Sequence, residues 1–235
     1  MKVQCFAQAQ LWHPRHKMAA LVSGGIRSAT SGDFSHVGFL FTLSDADILK
    51  LSLDVPSQTI ARLEAIDKAP DGLCRALFEF ISTENKRTHK SGVTGPLAWS
   101  ERTAWHSAGA YWRKGKKRYT RRLELADLPL SEAQTREALI IACNATEQIK
   151  YAHLQIIRNW LGYRLGRGVP LRRRSRTKWT CCEFVARVLC LVDPRFCLAL
   201  NIGDVLYDEI APSSRSGRAP GLWEMIGASG CATKE

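Results

Sequence analysis

The chain has 235 residues, 45% of them hydrophobic and 24% charged, a composition typical of an ordinary folded protein and not of a disordered or membrane-embedded one. Its eight cysteines are too few and too irregularly spaced for the disulfide framework of a small secreted domain, and they lack the paired C-x2-C spacing of a zinc site. The net charge of +12 is concentrated in two segments, so two basic segments need explaining and not a generally basic surface.

We expect one domain over residues 1–235, because this length suits a single hydrophobic core. The apolar run at 18–22 is too short for a signal peptide or a transmembrane helix. We therefore expect no signal peptide and no transmembrane segment, with a location in the cytoplasm, or in a virion if the protein is phage-encoded. We expect no metal and no other cofactor.

The first half of the chain predicts four elements. The stretch 34–43 (FSHVGFLFTL) is apolar, with aromatic and β-branched residues, and predicts a buried strand. A second strand is predicted over 48–55. Apolar residues at helical intervals predict a helix over 70–83. Small residues and a proline predict a loop over 91–96.

The second half predicts a hairpin and three helices. Segments 103–112 and 119–125 are predicted to pair as a hairpin. Ser131 begins a capping-box pattern, which predicts the start of a helix, and apolar spacing predicts another helix over 152–165. The chain after 194 is predicted to be irregular, with a C-terminal tail at 211–235 that contains an exposed loop at 211–221 and a short element at 222–226.

A third helix should begin after Thr180, because Thr180 and Glu183 form the capping-box pattern T-x-x-E before apolar residues at helical spacing. Cys181 is then the first helical residue. The unpaired N–H groups and the positive dipole end at a helix start lower the pKa of a thiol, so Cys181 is placed to act as a nucleophile. Cys182 is the rival nucleophile, and both cysteines are alternatively small apolar residues of a core helix.

Two segments, SHVGF at 35–39 and WTCCEFV at 179–185, resemble the signatures of the circularly permuted NlpC-type papain-like cysteine hydrolases, the group that includes YiiX-like proteins. In that family the histidine strand precedes the cysteine helix, as it does here. The resemblance implies an α+β, papain-like, circularly permuted fold in which a small antiparallel sheet packs against the nucleophile helix. It places Cys181 on the nucleophile and His36 on the base.

The resemblance also implies a third polar residue on the next core strand. The segment AWHSA at 104–108 is similar to that strand, which makes His106 the candidate that orients the ring of His36. Residues 44–102 would then be an insertion. Tyr151 is similar to an aromatic residue often found near the oxyanion in this family.

Each of the two basic segments holds seven basic residues and no acidic one, over 113–122 and 164–178. They predict contact with an anionic polymer, either nucleic acid or a phosphorylated wall polymer, although an anionic lipid surface, an acidic protein or a solvated face fits the same charges. The candidate contact residues are Arg113, Lys114, Lys116, Lys117, Arg118, Arg172, Arg173 and Arg174.

The predicted activity is that of a cysteine peptidase or amidase that cleaves an amide bond through an acyl-enzyme on Cys181. Peptidoglycan stem peptides are the substrate class that the resemblance implies first. Two alternatives stay open: an acyltransferase or thioesterase, since lecithin retinol acyltransferase-like proteins share the permuted core, and a structural virion protein that binds nucleic acid through the basic loops.

Overall fold

The computed structural model describes residues 1–10, 24, 36–81, 92–99, 110–113, 116–119, 121–152 and 177–199. The strands in these ranges are β1 (Lys2–Gln10), β2 (His36–Leu43), β3 (Cys74–Ile81), β4 (Gly92–Ala98), β5 (Ala110–Arg113), β6 (Lys116–Tyr119), β7 (Arg121–Asp127), β8 (Lys150–Tyr151) and β9 (Lys178–Trp179). The helices are α1 (Asp45–Leu51), α2 (Ser57–Glu64), α3 (Glu132–Gln148), α4 (Cys181–Val192) and α5 (Pro194–Ala199).

One seven-stranded sheet organises the described residues, in the order β7-β1-β2-β3-β4-β8-β9, and β5 and β6 form a separate hairpin. Neighbouring strands are antiparallel except β8 and β9, which are parallel. The predicted α+β class is confirmed. Among the described residues, no helix has the length and apolarity needed to cross a membrane.

The core lies between the sheet and helix α4. Alternate residues of β2 are fully buried on one face, and the ring of Phe39 meets the ring of Phe184 edge-on, with 5.5 Å between their centroids. Helix α4 is buried along nearly its whole length because α3 and α5 also pack on it. This packing fixes the start of α4 relative to β2, on which the site depends.

Several sequence predictions are confirmed. The strand at 34–43 is β2, which begins at His36. Ser131 is the N-cap of α3 and Thr180 is the N-cap of α4, and each closes the predicted capping box.

Other predictions are wrong. The segment predicted as a helix over 70–83 contains β3, and the segment predicted as a strand over 48–55 begins in helix α1. Consecutive residues of β3 from Ala76 to Phe78 are buried, and such a run lacks the alternation that would distinguish a strand from a helix. The predicted loop at 91–96 is strand β4, in which Gly95 and Pro96 lie at an irregularity in the register with β3.

The predicted hairpin has a different partner. The strand that ends at Arg113 pairs with β6, whereas β7 pairs with β1 at the far edge of the main sheet. Strand β1 itself was not predicted, and α5 replaces the irregular chain predicted directly after 194. The predicted helix at 152–165 and the tail at 211–235 lie outside the described residues, apart from Ala152.

Candidate active site

The capping box at the start of α4 positions Cys181. The Thr180 hydroxyl accepts from the Glu183 N–H at 3.3 Å, and a Glu183 carboxylate oxygen accepts from the Thr180 N–H at 2.8 Å. These two bonds fix the first turn, so that Cys181 is the first residue of the helix, where the positive end of the helix dipole favours a thiolate.

His36 is held at the first position of β2. Its ring lies 5.8 Å from the ring of Phe6, centroid to centroid, on the neighbouring strand β1. Gly38 makes this arrangement possible, because a Cβ there would lie 2.5 Å from both Phe6 Cε1 and the carbonyl oxygen of Phe78. The absence of a side chain at Gly38 therefore lets Phe6 pack next to the imidazole.

The His36 imidazole bridges two functional groups. Its Nε2 lies 3.0 Å from a carboxylate oxygen of Glu79, and the ring also forms a hydrogen bond with the side chain of Cys181. The arrangement is thiol, imidazole and carboxylate in series, which is the order of a nucleophile, its base and an orienting group.

The environment of His36 favours the imidazolium. Burial alone lowers the pKa of His36, but hydrogen bonds to Cys181 and Glu79, together with the negative charges of these two groups, outweigh it and raise the pKa to about 10. An imidazolium at neutral pH stabilises a thiolate beside it, because each charge compensates the other in a poorly solvated place. The geometry and the charges together favour a thiolate–imidazolium pair.

The curl of the sheet brings these residues together. Strand β2 and strand β9 are four strand positions apart, a separation of about 19 Å in a flat sheet. Cys181 follows β9 after one residue and yet hydrogen-bonds to the first residue of β2. The sheet therefore curls so that its last strands return towards the start of β2.

Tyr151 lies close to the sulfur, on β8. It pairs in register with Trp179, two residues before Cys181. Burial raises the pKa of Tyr151, and the charges of Cys181 and Cys182 raise it further. Its hydroxyl therefore stays protonated and suits a hydrogen-bond donor to a developing oxyanion.

The other cysteines differ in their surroundings. His36 forms its hydrogen bond with Cys181, and Cys182 is not among the groups that shift the pKa of His36. Burial raises the pKa of Cys143 to about 12 and, with the charge of Asp45, that of Cys74 to about 11. These two side chains remain neutral thiols at ordinary pH.

The sulfur is well shielded. Cys181 has an exposed fraction of 0%, while the side chains of His36 and Glu79 are 17% and 21% exposed. A substrate therefore reaches the sulfur only when neighbouring atoms move aside, and the side of His36 is the one that solvent already touches.

The sequence did not indicate Glu79 as a partner of His36, because its segment was predicted to be a helix. Its register position is opposite Gly38, on the strand adjacent to β2. No pattern within that segment indicates Glu79, because the pairing of β3 with β2 depends on residues distant in sequence. His106, the residue predicted for this role, lies outside the described residues, and β2 is flanked by β1 and β3.

The basic segments are only partly described. Arg113 ends β5 and pairs in register with Lys116 at the start of β6, while Lys117 and Arg118 pair with Trp112 and Tyr111. Lys114 and the second segment up to residue 176, with Arg172, Arg173 and Arg174, lie outside the described residues. Within the described ranges, no group of three or more histidine, cysteine, aspartate or glutamate side chains is arranged to hold a metal ion.

The described site thus brings together a cysteine, a histidine, a glutamate and a tyrosine from one helix and three strands of a single sheet. The segment 44–102, which was expected to be an insertion, supplies the carboxylate through β3. Comparison with protein-family models, with curated proteins and with solved structures finds no match.

Proposed function

We propose that this protein is a cysteine hydrolase that cleaves an amide bond through an acyl-enzyme on Cys181. The observation that carries the proposal is the pair of hydrogen bonds of His36, one to Cys181 and one to Glu79. The position of the cysteine at a capped helix start adds to it, since that position favours a thiolate.

In the first half of the reaction, the Cys181 thiolate attacks the carbonyl carbon of the scissile amide. The electron pair of the C=O bond moves to oxygen, and the Tyr151 hydroxyl is the candidate donor of a hydrogen bond to it. The tetrahedral intermediate then expels the amine, which takes the proton from His36. A thioester on Cys181 and a neutral imidazole remain.

In the second half, neutral His36 takes a proton from a water molecule, which attacks the thioester carbonyl. The C–S bond breaks with its electron pair going to sulfur, the carboxylic acid product leaves, and the imidazolium keeps the proton taken from water, which restores the thiolate–imidazolium pair. Glu79 holds the ring through Nε2 in both halves, and its negative charge stabilises each imidazolium state.

The permuted papain-like arrangement is part of the same proposal. The histidine strand precedes the cysteine helix in the chain, and the carboxylate is on the strand next to the histidine. The resemblance in the segments at 35–39 and 179–185 makes peptidoglycan stem peptides the first substrate class to try.

Alkylation and substitution of Cys181 test the proposal. Iodoacetamide, a small reagent, should modify Cys181 at neutral pH faster than Cys74 or Cys143, whose raised pKa values keep them as thiols. The Cys181→Ala variant should lose this modification and all amide cleavage. The Cys182→Ala variant serves as the matched control and should keep both; unchanged cleavage in Cys181→Ala would overturn the proposal.

Acyl transfer is the second candidate, and the burial of the sulfur favours it. Because Cys181 has no exposed surface, water has restricted access to a thioester there, and an acceptor held in the site competes well with it. Adding a small amine such as hydroxylamine during turnover distinguishes the two. A dominant hydroxamate product at millimolar amine favours transfer, and an unchanged carboxylate product favours hydrolysis.

A further inference from the structure

Strands β5 and β6 form a small hairpin that carries the first basic segment and pairs separately from the main sheet. Apart from Ala110, every residue of these two strands is basic or aromatic, and neither strand contains an acidic residue. The residues are Tyr111, Trp112, Arg113, Lys116, Lys117, Arg118 and Tyr119. Positive charge and aromatic rings are therefore combined in one short element.

The register of the hairpin pairs an aromatic residue with a basic one at both middle positions. Tyr111 is opposite Arg118, and Trp112 is opposite Lys117. Residues that are opposite each other in an antiparallel pair lie on the same face, and successive pairs alternate between the two faces. Each face of the hairpin therefore has an aromatic residue directly beside a cation.

One face of the hairpin holds most of the charge. Tyr111 and Arg118 share this face with Arg113 and Lys116, which are opposite each other in register. The two pairs are two residues apart along each strand, a separation of about 7 Å. Like charges directly opposite each other destabilise a hairpin, so an anion bound between Arg113 and Lys116 would relieve their repulsion.

The basic character continues into the end strand of the main sheet. Strand β7 begins two residues after the last residue of β6, with Arg121 and Arg122. Their register partners on β1 are Gln10 and Ala9, neither of which is acidic. The strand pairing therefore does not neutralise these two arginines, and the basic stretch extends from the hairpin to the edge of the sheet.

The aromatic residues distinguish between the anionic polymers that could bind here. A phosphorylated wall polymer or an anionic lipid surface offers charge alone. A single strand of nucleic acid offers phosphates for the cations and unpaired bases that stack on aromatic rings. The bases of a duplex are already stacked on one another, so a single strand fits the mixed pattern best.

We propose that the β5–β6 hairpin binds single-stranded nucleic acid, with Arg113, Lys116 and Arg118 on the phosphates and Tyr111 stacked on a base. The inference goes beyond the proposed hydrolase and does not depend on it, because none of these residues belongs to the site around Cys181. Contact with three phosphates of a single strand predicts a slope of about −2 for the logarithm of the association constant against the logarithm of salt concentration.

Fluorescence anisotropy of the full chain with a labelled deoxythymidine strand of about 15 nucleotides measures this binding, and a uridine strand of the same length shows whether DNA or RNA is preferred. The double variant Lys116→Gln with Arg118→Gln should bind more weakly and reduce the magnitude of the salt slope by about 1.4. The matched control is Arg62→Gln with Lys68→Gln, which removes two exposed charges outside the hairpin and should leave the slope unchanged.

Tyr111 gives a readout that charge alone would not change. Tyr111→Ala should weaken binding of the deoxythymidine strand about 5- to 100-fold, as expected for the loss of one stacked base, with the salt slope unchanged. Tyr111→Phe keeps the ring and should keep the affinity. Inorganic polyphosphate, which has no bases, should bind the parent and Tyr111→Ala equally. Far-UV circular dichroism checks that each variant is folded.

Three results would overturn the inference. Undiminished binding in the double variant would place the nucleic acid elsewhere, such as on the second basic segment. Equal affinities of Tyr111→Ala and the parent for the deoxythymidine strand would show that no base stacks on Tyr111. If the parent binds polyphosphate or a duplex as tightly as the single strand, charge alone accounts for binding. Amide cleavage by the same preparations would leave the proposed hydrolase intact in each case.

Discussion

His36 stands between two groups that act on it in the same direction. The carboxylate of Glu79 and the side chain of Cys181 both favour its protonated form, and together they overcome the opposite effect of burial. At neutral pH the imidazole is therefore protonated, as the proposed mechanism requires. At this scale the proposed chemistry depends on the two hydrogen bonds of the ring, one with Cys181 and one with Glu79.

Replacing Glu79 with glutamine tests the carboxylate as a positioning residue. The amide keeps the size but removes the negative charge, so the imidazolium is less stable and the ring is less firmly oriented. We expect kcat to fall about 10- to 100-fold, which is part of the 10²–10⁴ that general acid–base catalysis contributes, with little change in KM. Asp71→Asn, a carboxylate that pairs with Arg75 at the start of the same strand, is the control and should leave both constants unchanged. A fall of KM and kcat together in Glu79→Gln would argue against a positioning role.

The titration of His36 gives a second prediction at this scale. NMR of its ring protons should show a pKa near 10 in the parent protein. In Cys181→Ala the pKa should fall, because the hydrogen bond and charge of the sulfur are lost while burial, which lowers the pKa, remains. Cys182→Ala should leave the titration unchanged. If the pKa of His36 is unchanged in Cys181→Ala, the sulfur has no electrostatic effect on the imidazole, contrary to this prediction.

At the scale of the elements, the contact of β1 and β2 at Gly38 leaves no room for a side chain at that position. Gly38→Ala would place its methyl group 2.5 Å from Phe6 Cε1 and from the Phe78 carbonyl oxygen, and overpacking of this kind costs about 1–3 kcal/mol. We expect urea unfolding to show this loss and activity to fall with it, since His36 is two residues away. Gly72→Ala is the contrast: its position has open space but a φ of +76°, so its cost is backbone strain of about 1 kcal/mol. Equal stability of Gly38→Ala and the parent would contradict this packing.

Some of these elements could be predicted from the sequence, and others could not. Capping boxes at Ser131 and Thr180 gave correct helix starts because the signal is local: side chain and backbone of the same four residues satisfy each other. The strand β3 was mistaken for a helix because its burial comes from elements distant in sequence. Cys181 and His36 were predicted as site residues from their own segments, and the structure brings them together. Glu79 depends instead on which strand lies next to β2, and the pattern of a single strand does not contain that information.

At the scale of the whole molecule, the site depends on a part of the sheet in which few residues of neighbouring strands are paired. Strands β1 and β2 are in register over seven residue pairs, whereas β4 and β8 share one pair and β8 and β9 share two. Local opening requires less free energy where fewer backbone bonds must break. The β8–β9 end, which precedes the nucleophile, is the part of the sheet that opens most easily.

Native-state hydrogen exchange measures this difference. The amides of Lys150 and Ala152, which donate to Thr177 and Trp179 carbonyls at 2.9 Å, should exchange about tenfold or more faster than those of Phe39 and Phe41 in β2. Activity should accordingly be lost at a lower urea concentration than the far-UV circular dichroism of the sheet and helices. Coincident transitions and equal protection would show instead that the curled sheet unfolds as one unit.

The protonation of His36 also acts on the whole molecule. Its pKa in the folded state lies near 10, above the ordinary value of 6.5, so the proton contributes stability that is fully present below about pH 6.5 and is lost as the pH rises through 10. The free energy of unfolding, measured by urea titration at intervals from pH 6 to pH 10.5, should decrease over that range. The decrease should be smaller in Cys181→Ala, and equal slopes in the two proteins would assign the alkaline loss to other groups.

The curl of the sheet has a further consequence for how the protein matures. The base and its carboxylate are made early during synthesis, at positions 36 and 79, and the cysteine emerges from the ribosome about a hundred residues after the carboxylate. Until β9 and α4 dock, Cys181 is an ordinary thiol, with no imidazolium beside it and little nucleophilic strength at neutral pH. On the proposed mechanism, the newly made chain therefore has no activated thiol before the fold is complete.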